Sequence, residues 1–161
     1  NPMPSWTDAP EHVAMGKDDL IMTTYKVGTQ IHSRSANCKY LSEIYHTNPA
    51  WINPVTAAER GINDGDAIVV SSEFGDLPTK AKVTPTIIPG TIAISHHCGH
   101  WEYGRYASGK AAPDARNDDP DLDRIWWKDN GAHPNWIIGN KADPMSGQLR
   151  FMDTVVKVTK A

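Results

Sequence analysis

The stretch AWINPVTAAERGINDGDAIVVSSEFGDLPTKAKVTPTIIPG, Ala50 to Gly90, decides the fold. It opens extended at Ala50-Trp51-Ile52-Asn53 and turns at once into a short helix expected over Pro54 to Arg60. A first-turn proline loses no needed N–H and arrives with its φ already set. Asn53, just ahead of it, is a good N-cap. Val55, Ala58 and Ile62 fall on one helical face that can dock on a core, and Gly61 ends the helix as a left-handed cap. Asn63-Asp64-Gly65-Asp66 is turn chemistry. The β-branched run after it predicts a strand over Ala67 to Ser72. A turn at Glu73-Phe74-Gly75-Asp76 leads into a second strand, Leu77 to Thr84, and the unit ends on Ile88-Pro89-Gly90. Any small β-barrel can use such a corner.

Working outward, Asp19 to Tyr25, Thr91 to Ser95 and Asp153 to Thr159 read as further strands, and Tyr40 to Tyr45 as a short helix with Leu41, Ile44 and Tyr45 on one face. Residues 1–18, with Pro2, Pro4 and Pro10, read as an extended N-terminal arm, and residues 19–161 as one barrel domain. Trp101 to His133 is long and polar and holds Asn117-Asp118-Asp119-Pro120-Asp121. A loop of this size is functional or is ordered by a neighbour. Asn135 to Gly139 reads as a short apolar turn or strand. The count is about six strands, two short helices and one long excursion, which suits a mainly β, closed barrel, because the helices are too short for the crossovers of a parallel sheet.

Composition narrows the function. A chain of 161 residues, 39% hydrophobic and 22% charged, can bury a core and is not disordered. A net charge of −3 argues against nucleic acid as a partner. No apolar run approaches the ~20 residues of a spanning helix, so direct membrane insertion is not expected. The chain begins at Asn1 without a Met, which leaves export signals unreadable. Cys38 and Cys98 form either a single bridge or two buried free thiols. Of six tryptophans, Trp51, Trp101, Trp126, Trp127 and Trp136 lie outside the arm, a surplus that points to flat aromatic surfaces for a ligand or a partner chain.

Three groups carry candidate chemistry. His96, His97, Cys98 and His100 resemble zinc ligands in type, yet they share one short stretch and lack a second ligand pair. A strand end opening onto a polar cavity explains them better, with imidazoles bonding to whatever binds there. Thr24-Tyr25-Lys26 through Gln30-Ile31-His32-Ser33-Arg34-Ser35 offers hydroxyls, an amide, an imidazole and cations just past a strand end. That set suits a ligand with phosphates and a polar heterocycle; the alternative is a solvated loop. Asn135 either serves a tight turn or presents its amide to a ring edge. No nucleophile elbow and no phosphate-cradling glycine loop is present.

Together these segments resemble the C-terminal molybdopterin-dinucleotide-binding domain of the dimethyl sulfoxide reductase family of molybdenum and tungsten oxidoreductases. The resemblance covers most of the chain. It rests on four motifs in order: Leu20-Ile21-Met22-Thr23-Thr24-Tyr25-Lys26 with His32-Ser33-Arg34-Ser35-Ala36-Asn37; Trp51-Ile52-Asn53-Pro54 with Gly61-Ile62 and Gly65-Asp66; Ile88-Pro89-Gly90; and Asn135 with Asp143-Pro144-Met145-Ser146-Gly147 and Thr154-Val155-Val156-Lys157-Val158.

The resemblance implies a six-stranded double-psi β-barrel that caps molybdopterin guanine dinucleotide. Carried over by position, the contacts come from Thr24, Tyr25, Lys26, Gln30, Ile31, His32 and Ser33, from the strand end at His97, and from Asn135. No catalytic residue and no metal ligand is expected in this chain, since the family's metal ligand lies in an earlier domain. The chain then resembles a part of a catalytic subunit that does not turn over substrate alone. Its partners would be the remaining domains and an iron–sulfur electron-transfer subunit. The segments His96 to Arg105 and His133 to Trp136 resemble the respiratory branch acting on sulfur or arsenic oxyanions, which implies a parent enzyme outside the cytoplasmic membrane. Two other readings compete: a free-standing double-psi barrel used for protein interaction, and a small metal-dependent enzyme built on His96 to His100.

Overall fold

The computed structural model describes residues 3, 5–35, 38–99 and 131–161. Most of the expected excursion, from residue 101 to residue 130, lies outside the described residues, as do Trp101, Trp126, Trp127 and His100.

The corner unit builds half of a barrel. Strand β2 (Ala50–Ile52) leads into helix α3 (Pro54–Glu59), with Asn53 as its cap: the Asn53 side chain accepts the Val55 N–H at 2.9 Å. Gly61 follows with φ 64°, the left-handed conformation that ends a helix. The inward face differs from the expected one. Val55 and Ala58 are exposed, while Thr56, Ala57 and Ile62 are buried. Polar tethers orient the helix: Asn53 donates to the Ile87 carbonyl at 2.7 Å, and Thr56 Oγ1 accepts the Gly90 N–H at 3.0 Å.

In the next turn, Asp66 accepts the Asn63 N–H at 2.8 Å, and Asp64 accepts the Val83 N–H at 2.8 Å. Strands β3 (Ala67–Ser72) and β4 (Gly75–Val83) then form a hairpin closed by Glu73 and Phe74 alone, so β4 starts two residues before the expected Leu77. Pro78 is tolerated because that part of β4 is paired only with β3; its other neighbour, β2, pairs with Ala81 to Val83.

Strands β1 (Leu20–Tyr25), β5 (Thr91–Ser95) and β8 (Thr154–Lys160) complete a closed barrel of order β1-β5-β2-β4-β3-β8. Two pairs are parallel, β1 with β5 and β2 with β4, and both join strands far apart in sequence. This is the crossed connectivity of a double-psi barrel. Alternate residues fill it: Met22, Ile52, Ile68, Val70, Ile92 and Ile94 are all 0% exposed. Strand β5, flanked by β1 and β2, is buried on both faces from Ile92 to Ser95.

Outside the barrel, Pro10–Val13 of the expected extended arm forms one helical turn, α1, which Pro10 initiates. It is held down: His12 Nε2 meets the Asp153 carbonyl at 2.9 Å, and Arg150 pairs with Glu11 at 2.8 Å. Helix α2 (Lys39–Ile44) forms, but its buried residue is Ser42, and Ile44 is exposed. The two cysteines do not bridge each other; Cys38 is exposed, and Cys98 is buried with its thiol donating to the His46 carbonyl at 3.4 Å. A small hairpin, β6 (Lys141–Ala142) with β7 (Leu149–Arg150), was not foreseen. No helix among the described residues is long and apolar enough to cross a membrane.

Candidate functional site

Parallel pairing aligns the C-terminal ends of β1 and β5, Tyr25 opposite Ser95. Whatever follows each strand therefore emerges at the same end of the barrel. After β1 comes Lys26, and after β5 comes His96. A 3₁₀ turn, His32–Ser35, and a second one, Pro134–Trp136, close over the same end. Between them and the segment after β7 lies a cavity of about 850 Å3.

Six of the residues expected at a site line this cavity: Thr24, Tyr25, Lys26, His32, Ser33 and Asn135. Three are placed elsewhere. Gln30 turns inward as a brace, donating to the Leu41 carbonyl at 3.1 Å and the Tyr45 carbonyl at 2.6 Å and accepting from Ser35 Oγ. Ile31 is 62% exposed and off the wall. His97 is buried, with Nδ1 2.5 Å from Ser95 Oγ and its ring 5.5 Å from that of Tyr45. Burial, with His96 alongside, lowers the His97 pKa to about 4, so its ring is neutral.

The wall residue on this strand end is His96 instead. Its ring lies 4.6 Å from that of His32, centroid to centroid, at an interplanar angle of 36°. Burial first, then His32 and Lys26, lower the His96 pKa. His32 has φ 48°, a left-handed conformation unusual for a residue with a side chain. Period-two alternation puts His96 and His97 on opposite faces, a signal available in the sequence; which face is the wall is a tertiary fact.

The opposite wall is apolar: Ile138, Leu149, Phe151 and Met152, beside Gly139 and Asn140. Met152 is drawn to the β1 end by Thr24 Oγ1, 3.2 Å from its sulfur. Nothing in the sequence marks this segment as a wall, since it reaches β1 only through β8. Tyr25 stacks against Trp51 at 4.4 Å and meets the Tyr45 hydroxyl at 3.3 Å; burial raises its phenol pKa, so it stays neutral.

The donor set suits one kind of ligand. Lys26, His32, Ser33 and His96 offer cations and donors for phosphate oxygens, Asn135 and Asn140 offer amides for a heterocycle edge, and the apolar wall offers faces for flat rings. Among the described residues no three His, Cys, Asp or Glu side chains gather into a metal-binding group.

A closed double-psi barrel with a cavity of this size at its strand ends has the architecture to hold a large ligand. The chain belongs to the molybdopterin-dinucleotide-binding family: the model described as "Molydopterin dinucleotide binding domain" matches residues 20–155. It is similar to the arsenate respiratory reductase molybdopterin-containing subunit ArrA of Shewanella sp. (strain ANA-3), 31% identical over 150 residues, which cover 88% of this chain and 16% of that protein. Dimethyl sulfoxide reductase DmsA of Escherichia coli (strain K12) is 28% identical over 141 residues, 88% of this chain and 15% of that protein. The chain thus spans about one sixth of the length of these relatives. Acetylene hydratase from Pelobacter acetylenicus has the same fold, with a TM-score of 0.69 at 18% identity over 99% of this chain and 21% of that one. The family's cofactor is molybdopterin guanine dinucleotide, and the donor set described above fits it.

Proposed function

We propose that this chain caps molybdopterin guanine dinucleotide in the catalytic subunit of a respiratory molybdenum or tungsten oxidoreductase. The carrying observation is the cavity of about 850 Å3, polar and cationic on one wall and apolar on the other. In this reading Lys26, His32, Ser33 and His96 hold the dinucleotide's phosphates. Asn135 and Asn140 read ring edges, and Phe151 and Met152 cover ring faces. When bound, the cofactor supplies a metal centre that exchanges electrons with substrate. The residues of this chain bind it, orient it and keep water from one side of it. Trp136, exposed beside the cavity, offers the subunit's other domains an apolar surface. Similarity to the arsenate respiratory reductase subunit supports the oxyanion-respiring branch. An iron–sulfur subunit would be the electron partner.

The test is amide NMR of the chain titrated with GDP, which stands in for the nucleotide end of the cofactor. Shifts concentrated at Thr24 to Ser33, His96 and Asn135 to Asn140 are expected. A saturating titration that leaves these amides unmoved would sink the assignment of the cavity.

A further inference from the structure

The cavity wall has a charge pattern that composition does not announce. The chain carries a net charge of −3, yet the described lining residues include no carboxylate. Among the described residues, the titratable groups facing the cavity are Tyr25 and Lys26 from the end of β1, His32 from the first 3₁₀ turn, His96 from the end of β5, and His133 ahead of the second 3₁₀ turn. Behind them sits His97, in electrostatic contact with His96.

The rings of His32 and His96 lie 4.6 Å apart, centroid to centroid, and are tilted by 36° to each other. Two imidazolium rings at that separation repel, and Lys26 adds a third positive charge to the same wall. Without an anion beside the two rings, burial together with His32 and Lys26 favours the neutral form of His96. An entering diphosphate changes the balance. Its oxygens attract both rings; a neutral imidazole already donates from one nitrogen, and protonation turns the other into a donor and adds a positive charge.

We propose that the cavity takes its diphosphate-bearing ligand together with a proton, and that the His32–His96 pair is where the proton goes. The proton comes from solvent and forms one N–H bond on an imidazole; no bond in the ligand breaks. Tyr25 and His97 do not take part, because burial keeps both neutral. The inference rests on the cofactor-capping reading and adds to it a dependence on pH: loading is favoured on the acidic side of neutrality and weakens above it.

Inorganic pyrophosphate is the probe, because it carries the anion without the rings. Calorimetry in two buffers of different ionisation enthalpy counts the protons taken up on binding. Beyond the protons that pyrophosphate itself exchanges, uptake of up to one proton is expected near neutral pH, with affinity falling by up to about tenfold per pH unit above neutrality. The His32→Asn/His96→Gln double variant removes both rings, and asparagine tolerates the left-handed backbone at position 32. It should bind pyrophosphate more weakly and keep only the pH dependence that the ionisation of pyrophosphate itself gives between about pH 6 and about pH 8, while its amide spectrum stays folded. A His133→Gln variant should keep the proton uptake.

Binding of pyrophosphate without proton uptake overturns the linkage and leaves the cavity reading standing. Uptake that is as large in the double variant as in the parent chain overturns the assignment to this pair. If GDP moves the cavity amides and pyrophosphate does not bind at any pH, the anion site is misplaced, although a nucleotide pocket remains. If neither moves them, the cavity reading falls as well.

Discussion

Asn48 is 1% exposed and bonds through its whole amide: it donates to the Ser95 carbonyl at 2.5 Å and the Ala132 carbonyl at 2.6 Å, and accepts the Ala132 N–H at 2.7 Å. It joins the end of β5 to the segment that carries His133 and Asn135 onto the cavity wall. Gly131, at φ 64°, lies against it, and a side chain there would collide with the Asn48 amide. Asn48→Ala leaves three buried backbone groups without that partner and should cost about 2–4 kcal/mol in urea denaturation. His97 makes a second prediction at this scale. Its pKa is lowered to about 4 in the fold against an ordinary value near 6.5, so between those values the unfolded chain holds the extra proton. Its contribution to stability is complete above about pH 6.5 and is lost as pH falls towards about 4, at up to about 1.4 kcal/mol per pH unit. Denaturation across that range in His97→Gln should show a shallower dependence; an unchanged slope would place the titration elsewhere. Lys26, His32 and Ser33 were legible as candidates because they follow a strand end that sequence pattern marks. His96 was harder, because alternation separates it from His97 without saying which of the two meets solvent.

Among the elements, α3 shows what local sequence can and cannot specify. Pro54, the Asn53 cap and Gly61 mark its limits from residue type alone. Its inward face was misread, since apolar spacing around Val55 competes with hydrogen bonds to Ile87 and Gly90, more than thirty residues away. Asn53 serves both purposes, capping the helix and tethering it. Asn53→Ala should therefore cost about 1.5–3 kcal/mol, more than an ordinary cap loss, while Asn53→Ser keeps the cap and should cost about half as much. Equal losses in the two variants, measured by thermal or urea unfolding, would show that the tether to Ile87 carries little. The β6–β7 hairpin has two-residue strands, too short for any periodic signal. Its neighbours fix it, through Lys141 with Glu73 at 2.6 Å and Arg150 with Glu11 at 2.8 Å.

For the whole molecule, the closed β1-β5-β2-β4-β3-β8 ring leaves no free edge and gathers one core. Ile92, 0% exposed on β5 between β1 and β2, touches the centre of that ring. Ile92→Ala should cost about 2–5 kcal/mol, with circular dichroism and tryptophan fluorescence reporting one coincident transition. Separate transitions would mean that the barrel and the cavity segments unfold independently. The sequence by itself determined the strand-rich class, the corner from Ala50 to Gly90, the limits of α3 and the family. Each of these rests on residue types acting on their immediate neighbours: a proline that presets φ, a capping side chain, a β-branched alternation. Tertiary structure alone decided which strands run parallel, and so which two strand ends meet. It also decided that His32 faces His96, that Gln30 and His97 turn inward, and that residues 149–152 supply the apolar wall. Those outcomes depend on contacts between segments scores of residues apart, where closure of the barrel, and no local preference, chooses the partner.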